Sequence, residues 1–187
     1  METVLIVDDE PLMLKAITRL LSRAPCTFDG CTYNIKLLTF SDAHEALEYL
    51  RLHAVSLVLS DYRMPGLSGV ELLSAALELQ PQAMRMIISG YADLDALMAA
   101  INQAQIYKFI PKPWSDYELV SSIAQALRHR ELLLDNQRLA DMCRLKMKQD
   151  SPQEQERRRL EALEPGITRV RWSDDGALLL DPSDDNK

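Results

Sequence analysis

Cysteine, positive charge, histidine and long apolar runs are all scarce in this chain, and each shortage closes off a class of protein. The three cysteines, Cys26, Cys31 and Cys143, are an odd number and too few for a disulfide-stapled scaffold, so reduced thiols are expected. Cys26 and Cys31 have no histidine or second cysteine pair close by in sequence, which leaves a zinc site short of ligands. Lysine and arginine total 21 against 28 acidic residues, a net charge of −7, so no basic field is available for a phosphate backbone. The one basic run, Arg157-Arg158-Arg159, lies among glutamates in a helical pattern and reads as a solvated face. None of the three histidines lies beyond Arg130, so the C-terminal part lacks the means for a His/Asp metal-hydrolase centre. No apolar run reaches the ~18 residues of a membrane span. Met1-Glu2-Thr3 leads straight into a strand pattern without a basic leader, so no signal peptide is predicted and a cytoplasmic location is expected.

What is present is enough apolar surface for a real core, with 47% hydrophobic residues in a chain of 187. Short aliphatic runs alternate with helix-period segments. Thr3–Val7 reads as a strand, followed by a helix over Pro11–Arg23 with proline in its first turn. Ile35–Phe40 is a second strand, with a helix over Ser41–Leu52 for which Ser41 is the expected cap. Val55–Leu59 is apolar throughout, as a strand covered on both faces must be. Ser68-Gly69-Val70-Glu71 is a capping box that opens a helix running to Leu79. Met84–Ile88 is a fourth strand, Asp93–Asn102 a helix and Tyr107–Ile110 a fifth strand. Strict alternation predicts an α/β fold, a parallel sheet with helices on both faces.

The remainder has another character. Ser115-Asp116-Tyr117-Glu118 is a second capping box, and its helix is predicted to run to about Lys148, with an apolar stripe interrupted at Asn136, Gln137 and Arg138. Asp150-Ser151-Pro152 breaks it. Ser151-Pro152-Gln153-Glu154 then starts a further helix that should end near Glu164. Ile167–Trp172 and Ala177–Leu180 flank Asp175-Gly176 and predict a hairpin; the end after Asp181 reads as frayed. The expected organisation is a sheet domain over 1–130, a helical extension over 131–165 and the hairpin with its frayed end over 166–187.

In an open parallel sheet, ligands bind beyond the carboxyl ends of the strands. Those ends carry Asp8 and Asp9, then Ser60 and Asp61, then Ser89-Gly90, and finally Lys112. Each alone is ordinary: an aspartate after a strand caps turns and helices, and a lysine before a proline sits on a surface. Their convergence is what matters. Three carboxylates at one rim raise one another's pKa unless a cation joins them, and Mg²⁺ prefers one or two carboxylates with water and a phosphate. Lys112 and Ser89 opposite complete a phosphoryl site, with Asp61 placed as the acceptor nucleophile. Glu10 drops out of the site, since it is expected in the first turn of the first helix, where a negative charge suits the dipole.

These residues also resemble a known family. LIVDDEP (Leu5–Pro11), LSDYRMPGLSG (Leu59–Gly69), IISGY (Ile87–Tyr91) and FIPKPW (Phe109–Trp114) resemble the receiver domain of two-component response regulators over about residues 1–130. The resemblance implies a flavodoxin-like, doubly wound (βα)₅ fold with strand order 2-1-3-4-5. It implies that Asp61 is the phosphoacceptor, loaded from a histidine kinase or phosphotransfer protein. Asp9 would bind Mg²⁺ directly and Asp8 through water, with the backbone carbonyl of Arg63 as a further ligand. Ser89 and Phe109 match the switch pair, Lys112 the lysine of the site, and Pro113 a position where the family uses a cis bond. A protein of this kind signals to a downstream protein effector and turns over no external substrate.

The YKFIPKPW wording is similar to receivers attached to cyclic-diguanylate hydrolases or hydrogenase-type transcription regulators. Ala24–Asn34 is longer than the usual receiver loop and reads as a decoration, a contact loop away from the switch surface. The extension shows neither a helix-turn-helix pattern nor a basic excess, so nucleic acid is not the expected partner. Its hairpin is too small to stand alone and its heptads are imperfect for a long coiled coil. Two outputs stay open: an interaction module for a kinase, phosphatase or effector, or a homodimer formed through the C-terminal extension, with a shared or swapped tail preferred. A transcriptional or cyclic-dinucleotide role through the short tail is the alternative.

Overall fold

The structure, a computed structural model, describes residues 1–90, 104–149, 152–163, 171–172 and 178–179. The expected helix Asp93–Asn102, the Ser151 cap, most of the expected C-terminal hairpin and the end after Asp181 lie outside them. In chain order the elements are β1 (Glu2–Val7), α1 (Pro11–Leu21), β2 (Cys26–Phe28), β3 (Cys31–Tyr33), β4 (Ile35–Phe40), α2 (Ala43–Leu52), β5 (Leu57–Asp61), α3 (Gly69–Leu79), β6 (Met84–Gly90), β7 (Lys108–Lys112), α4 (Asp116–Gln149), α5 (Pro152–Leu163), β8 (Arg171–Trp172) and β9 (Leu178–Leu179). The chain divides into two compact units, Met1–Asp135 and Asn136–Lys187.

In the first unit five parallel strands lie in the order β4-β1-β5-β6-β7, the expected 2-1-3-4-5 once the small β2–β3 ribbon is set aside. Alternation along the strands explains the two-sided core. Val4 and Ile6 of β1 point to one face, where they meet Ile17 and Leu21 of α1 and Leu119, Ile123 and Leu127 of α4. Leu5 and Val7 point to the other, against Ala46 and Leu50 of α2 and Leu72, Leu73 and Ala76 of α3. The central strands are covered on both faces and their side chains are almost wholly buried, each large aliphatic contributing about 1.5–3 kcal/mol of transfer free energy. That burial fixes the register that brings the strand ends to one rim.

Local chemistry sets the ends of the helices. Ser68 accepts from the Glu71 N–H while the Glu71 carboxylate accepts from the Ser68 N–H at 2.9 Å, the predicted capping box, ahead of α3. At α4, Ser115 Oγ accepts from the Glu118 N–H at 3.1 Å. Two expectations shift by one residue. Asp42, not Ser41, caps α2, accepting from His44 and Glu45 N–H, because a carboxylate adjoining the first turn reaches both donors. Glu10 stands at the cap position of α1 in extended conformation, one residue before the first turn; its carbonyl accepts from Met13 and Leu14 N–H. The third core strand begins at Leu57 rather than Val55 and runs on to Asp61 itself. At the start of β6 the buried Arg85 donates to the carbonyls of Ala83, Pro81, Ala104 and Gln105, and burial holds its pKa down. It ties the entries of β6 and β7 together at the end of the sheet opposite Ser89.

Ala24–Asn34 is not an irregular loop. β2 and β3 pair antiparallel as a hairpin, Cys26 with Tyr33 and Phe28 with Cys31, around Asp29-Gly30. Both turn residues have positive φ, 50° and 73°, the conformation a two-residue primed turn demands and an Asp-Gly step supplies. The hairpin packs its Cys26 thiol inward beneath α4, with Sγ 4.0 Å from the Val120 carbonyl, and burial pushes that thiol up to about 11. Cys143 is exposed. At pH 8, iodoacetamide should therefore modify the exposed Cys143 at least about 10-fold faster than Cys26, whose thiol is both buried and held protonated. Peptide mass spectrometry over a time course reads the two rates, and comparable rates would place Cys26 in solvent.

In the second unit α5 occupies Pro152–Leu163, and Arg171–Trp172 pairs antiparallel with Leu178–Leu179, the described part of the expected hairpin.

Candidate functional site

The carboxyl ends of β1, β5, β6 and β7 meet at one rim, and the register places their polar residues side by side. Val7 pairs with Ser60, Asp61 with Ile88, and Gly90 with Lys112. Asp8 and Asp61 are both buried, at 2% and 7% relative exposure, yet they are acids in an aliphatic setting. Among the described residues one cation holds them. Lys112 Nζ lies 2.5 Å from Asp61 Oδ1 and 3.4 Å from Asp8 Oδ2. Backbone donors take the other oxygens: Arg63 N–H donates to Asp61 Oδ2 at 2.9 Å and Glu10 N–H to Asp8 Oδ1 at 2.8 Å.

The electrostatics follow from that geometry. Burial raises the Asp8 pKa, against the Glu10 N–H and Lys112, which favour the carboxylate. For Lys112, burial alone disfavours the ammonium, but the hydrogen bond and charge of Asp61, followed by Asp8, outweigh it and leave its pKa raised. Lys112 is thus the one described cation that lies against both acids, while for Asp8 the Glu10 N–H favours the carboxylate more strongly still. Lys112→Met should cost about 3 kcal/mol in EDTA, since two buried carboxylates would face each other without a cation. Added Mg²⁺ should then raise the melting temperature of the variant more than that of the wild type; equal melting of the two proteins in EDTA would contradict the reading.

Other predicted residues stand nearby in different settings. Ser89 is buried at the end of β6, and its hydroxyl lies 3.4 Å from the Gly90 carbonyl. Phe109 is half-buried on β7 and packs against the cluster that contains Leu5 and Val7. The Lys112–Pro113 bond is cis. Asp9 is exposed, outside the Asp8–Lys112–Asp61 cluster. Among the described residues no three acidic, histidine or cysteine side chains converge as a ready metal cage. The donor set still suits Mg²⁺, which needs only one or two hard carboxylate ligands and keeps water on its other positions.

Gly69 was read in the sequence as part of the capping box and as the end of the LSDYRMPGLSG stretch, with no role of its own, yet it abuts the site. Its N–H donates to the Tyr62 carbonyl at 3.0 Å, and a Cβ built on it would overlap the Asp61 carbonyl oxygen and come within 2.9 Å of Ser60 Oγ. A glycine at the first helical position, where most residues serve as well, was the available signal.

Comparison with known proteins gives the sheet domain a family. The family model described as "Response regulator receiver domain" matches residues 4–124. The chain is 39% identical over 137 residues to the hydrogenase transcriptional regulatory protein HoxA of Cupriavidus necator, covering 73% of this chain and 26% of that one. It is 32% identical over 124 residues to the DNA-binding transcriptional regulator NtrC of Escherichia coli, covering 66% and 24%. The chain thus spans about a quarter of the length of these curated relatives. Among solved structures, the signal receiver domain of an HD domain-containing protein from Pseudomonas fluorescens is 31% identical with a TM-score of 0.63, covering 72% of this chain and 92% of that one.

Proposed function

Since the chain belongs to the response regulator receiver family of two-component signalling, we propose that it accepts a phosphoryl group on Asp61 from a histidine kinase or phosphotransfer protein. The observation that carries this is Lys112, half-buried and bridging the buried Asp8 and Asp61 at the strand ends. An Asp61 oxygen forms the new bond to phosphorus as the donor's bond to phosphorus breaks, giving an aspartyl phosphate. Before transfer, Lys112 and the Arg63 N–H hold the two Asp61 oxygens, so the nucleophile is oriented in advance. Afterwards Lys112 stays beside the added negative charge. Asp8, Asp9, Asp61 and the Arg63 carbonyl are the residues that would hold Mg²⁺, which when bound neutralises phosphoryl oxygens. The chain turns over no external substrate, and self-catalysed transfer and hydrolysis are its only expected chemistry.

The switch follows from the same rim. A phosphoryl group on Asp61 offers Ser89, buried on the neighbouring strand, a new acceptor; its movement toward that acceptor opens space for Phe109. The output is protein–protein contact with a downstream effector or pairing of two copies through the C-terminal extension. The exposed Leu132, Leu133, Leu139, Met142 and Leu145 on α4 favour pairing, because so many large apolar side chains along one exposed helix are stabilised by a partner. The relatives named as transcriptional regulators favour a second reading, in which the same switch serves transcription. Incubation with acetyl phosphate and Mg²⁺, followed by intact-mass measurement, tests the proposal: one phosphoryl adduct is expected, lost when EDTA replaces Mg²⁺. No adduct under either condition would refute it.

A further inference from the structure

One turn of α4, Arg128–Glu131, is gripped from several directions. From the β2–β3 hairpin, Tyr33 donates its phenolic proton to Glu131 Oε2 at 3.0 Å, and Asp29 Oδ2 lies 3.6 Å from Arg128 Nη2. Arg128 Nη1 donates to the same Glu131 oxygen at 2.9 Å, closing the hairpin contacts into a network. Arg130 reaches the other way, to Glu2 Oε2 at 3.3 Å and the Gln82 carbonyl at 3.1 Å. His129 stacks on Tyr107, with ring centroids 5.2 Å apart. Tyr107 stands two residues before Phe109 at the entry to β7, its N–H held by the Arg85 carbonyl at 2.8 Å. Beyond this turn α4 continues to Gln149, and of the described side chains from Leu132 to Lys146 all but Leu134 are exposed.

A helix segment with so little packed against it is marginal in water and depends on the last anchored turn to hold its register. Surface ion pairs are individually weak, but a network shared among four segments of chain removes the freedom of that turn at every residue. Burial and the Glu131 contact push the Tyr33 phenol up to about 12, so it keeps its proton and remains a donor at neutral pH.

We propose that Arg128–Glu131 is a clamped joint: the β2–β3 hairpin is its fixed jaw, and Tyr107 is the contact through which a change along β7 reaches the later turns of α4. The second half rests on the phosphoacceptor reading of Asp61; the first half does not. The hairpin, on this view, is a positioning element for α4 rather than a decoration.

Hydrogen exchange on the full chain separates the two halves. The double variant Asp29→Asn, Tyr33→Phe should exchange amides 132–149 about tenfold faster than the wild type, while peptides from β1 and β5 stay within about twofold. A clamp that only stabilises the domain would speed exchange everywhere; that result, or no change at 132–149, overturns the joint. With Mg²⁺ and beryllofluoride, the wild type should show altered exchange at 132–149, and Tyr107→Leu should lose that response while still binding beryllofluoride, as read from Trp114 fluorescence. A full response in Tyr107→Leu overturns the route through Tyr107. If the wild type fails to bind beryllofluoride, the Asp61 reading and the route fall together, and the hairpin variant alone decides the joint.

Discussion

Asp61→Asn should abolish the Mg²⁺-dependent phosphoryl adduct completely, and the reason lies in what the asparagine cannot do. The amide has nearly the shape of the carboxylate, so the fit between Ser60 and Lys112 survives, but its oxygen is neutral and a poor nucleophile. Lys112 would lose the closest of its two anionic partners, the one at 2.5 Å. The backbone donor Arg63 N–H would meet either the amide oxygen, keeping a bond, or the amide nitrogen, losing one. The expected result is no adduct at any time with acetyl phosphate, against a measurable adduct in the wild type, with the fold retained by circular dichroism. Label at full level in the variant would move the acceptor elsewhere, and Asp8 would be the first residue to test, since it is buried beside the same lysine.

Gly69→Ala should be the most damaging single-methyl change in the sheet domain. Alanine is the better helix former by ~1 kcal/mol in a helix interior, and less at the first position. Against that stands a Cβ driven into the Asp61 carbonyl, a backbone group that cannot turn aside as a flexible side chain could. Overpacking of this kind costs about 3 kcal/mol or more, which for a domain of this size lowers the melting temperature by about 10 °C. Relief comes only from moving α3 or the end of β5, and the latter carries Asp61, the proposed phosphoacceptor. Loss of phosphoryl acceptance should therefore accompany loss of stability. A variant that melts within about 2 °C of the wild type and labels at the wild-type rate would show that the α3 entry yields at little cost.

The sheet was legible because its signals are local and redundant. Leu57 to Leu59 can be nothing but buried, and Ser68 with Glu71 announces a helix within four residues. The rim was legible because only strand ends carried Asp8, Asp61, Ser89 and Lys112, so topology alone gathered them. The hairpin escaped for the opposite reason. Its strands are three residues each, built on cysteine and threonine as much as on Phe28 and Tyr33, and offer almost no hydrophobic alternation. The Asp29-Gly30 step carried the same turn signal read at Asp175-Gly176 and was the clue. What no sequence pattern announces is pairing at a distance: Tyr33 with Glu131, Glu2 with Arg130, or a buried Arg85 satisfied by backbone carbonyls. Those depend on where the folded sheet delivers each end of the chain.

The order of the strands also bears on how copies of this protein avoid sticking together. A sheet ends in two exposed rows of backbone groups, and here β4 and β7 form those rows. β7 reads Lys-Phe-Ile-Pro-Lys: Pro111 has no N–H to offer an incoming strand, and Lys108 stands at the start of the segment. β4 carries Lys36 and Thr39 outward among its apolar residues. Charge and proline on the outer strands are the usual guards against edge-to-edge growth. The sheet is therefore a poor template for amyloid-like stacking even in a crowded solution.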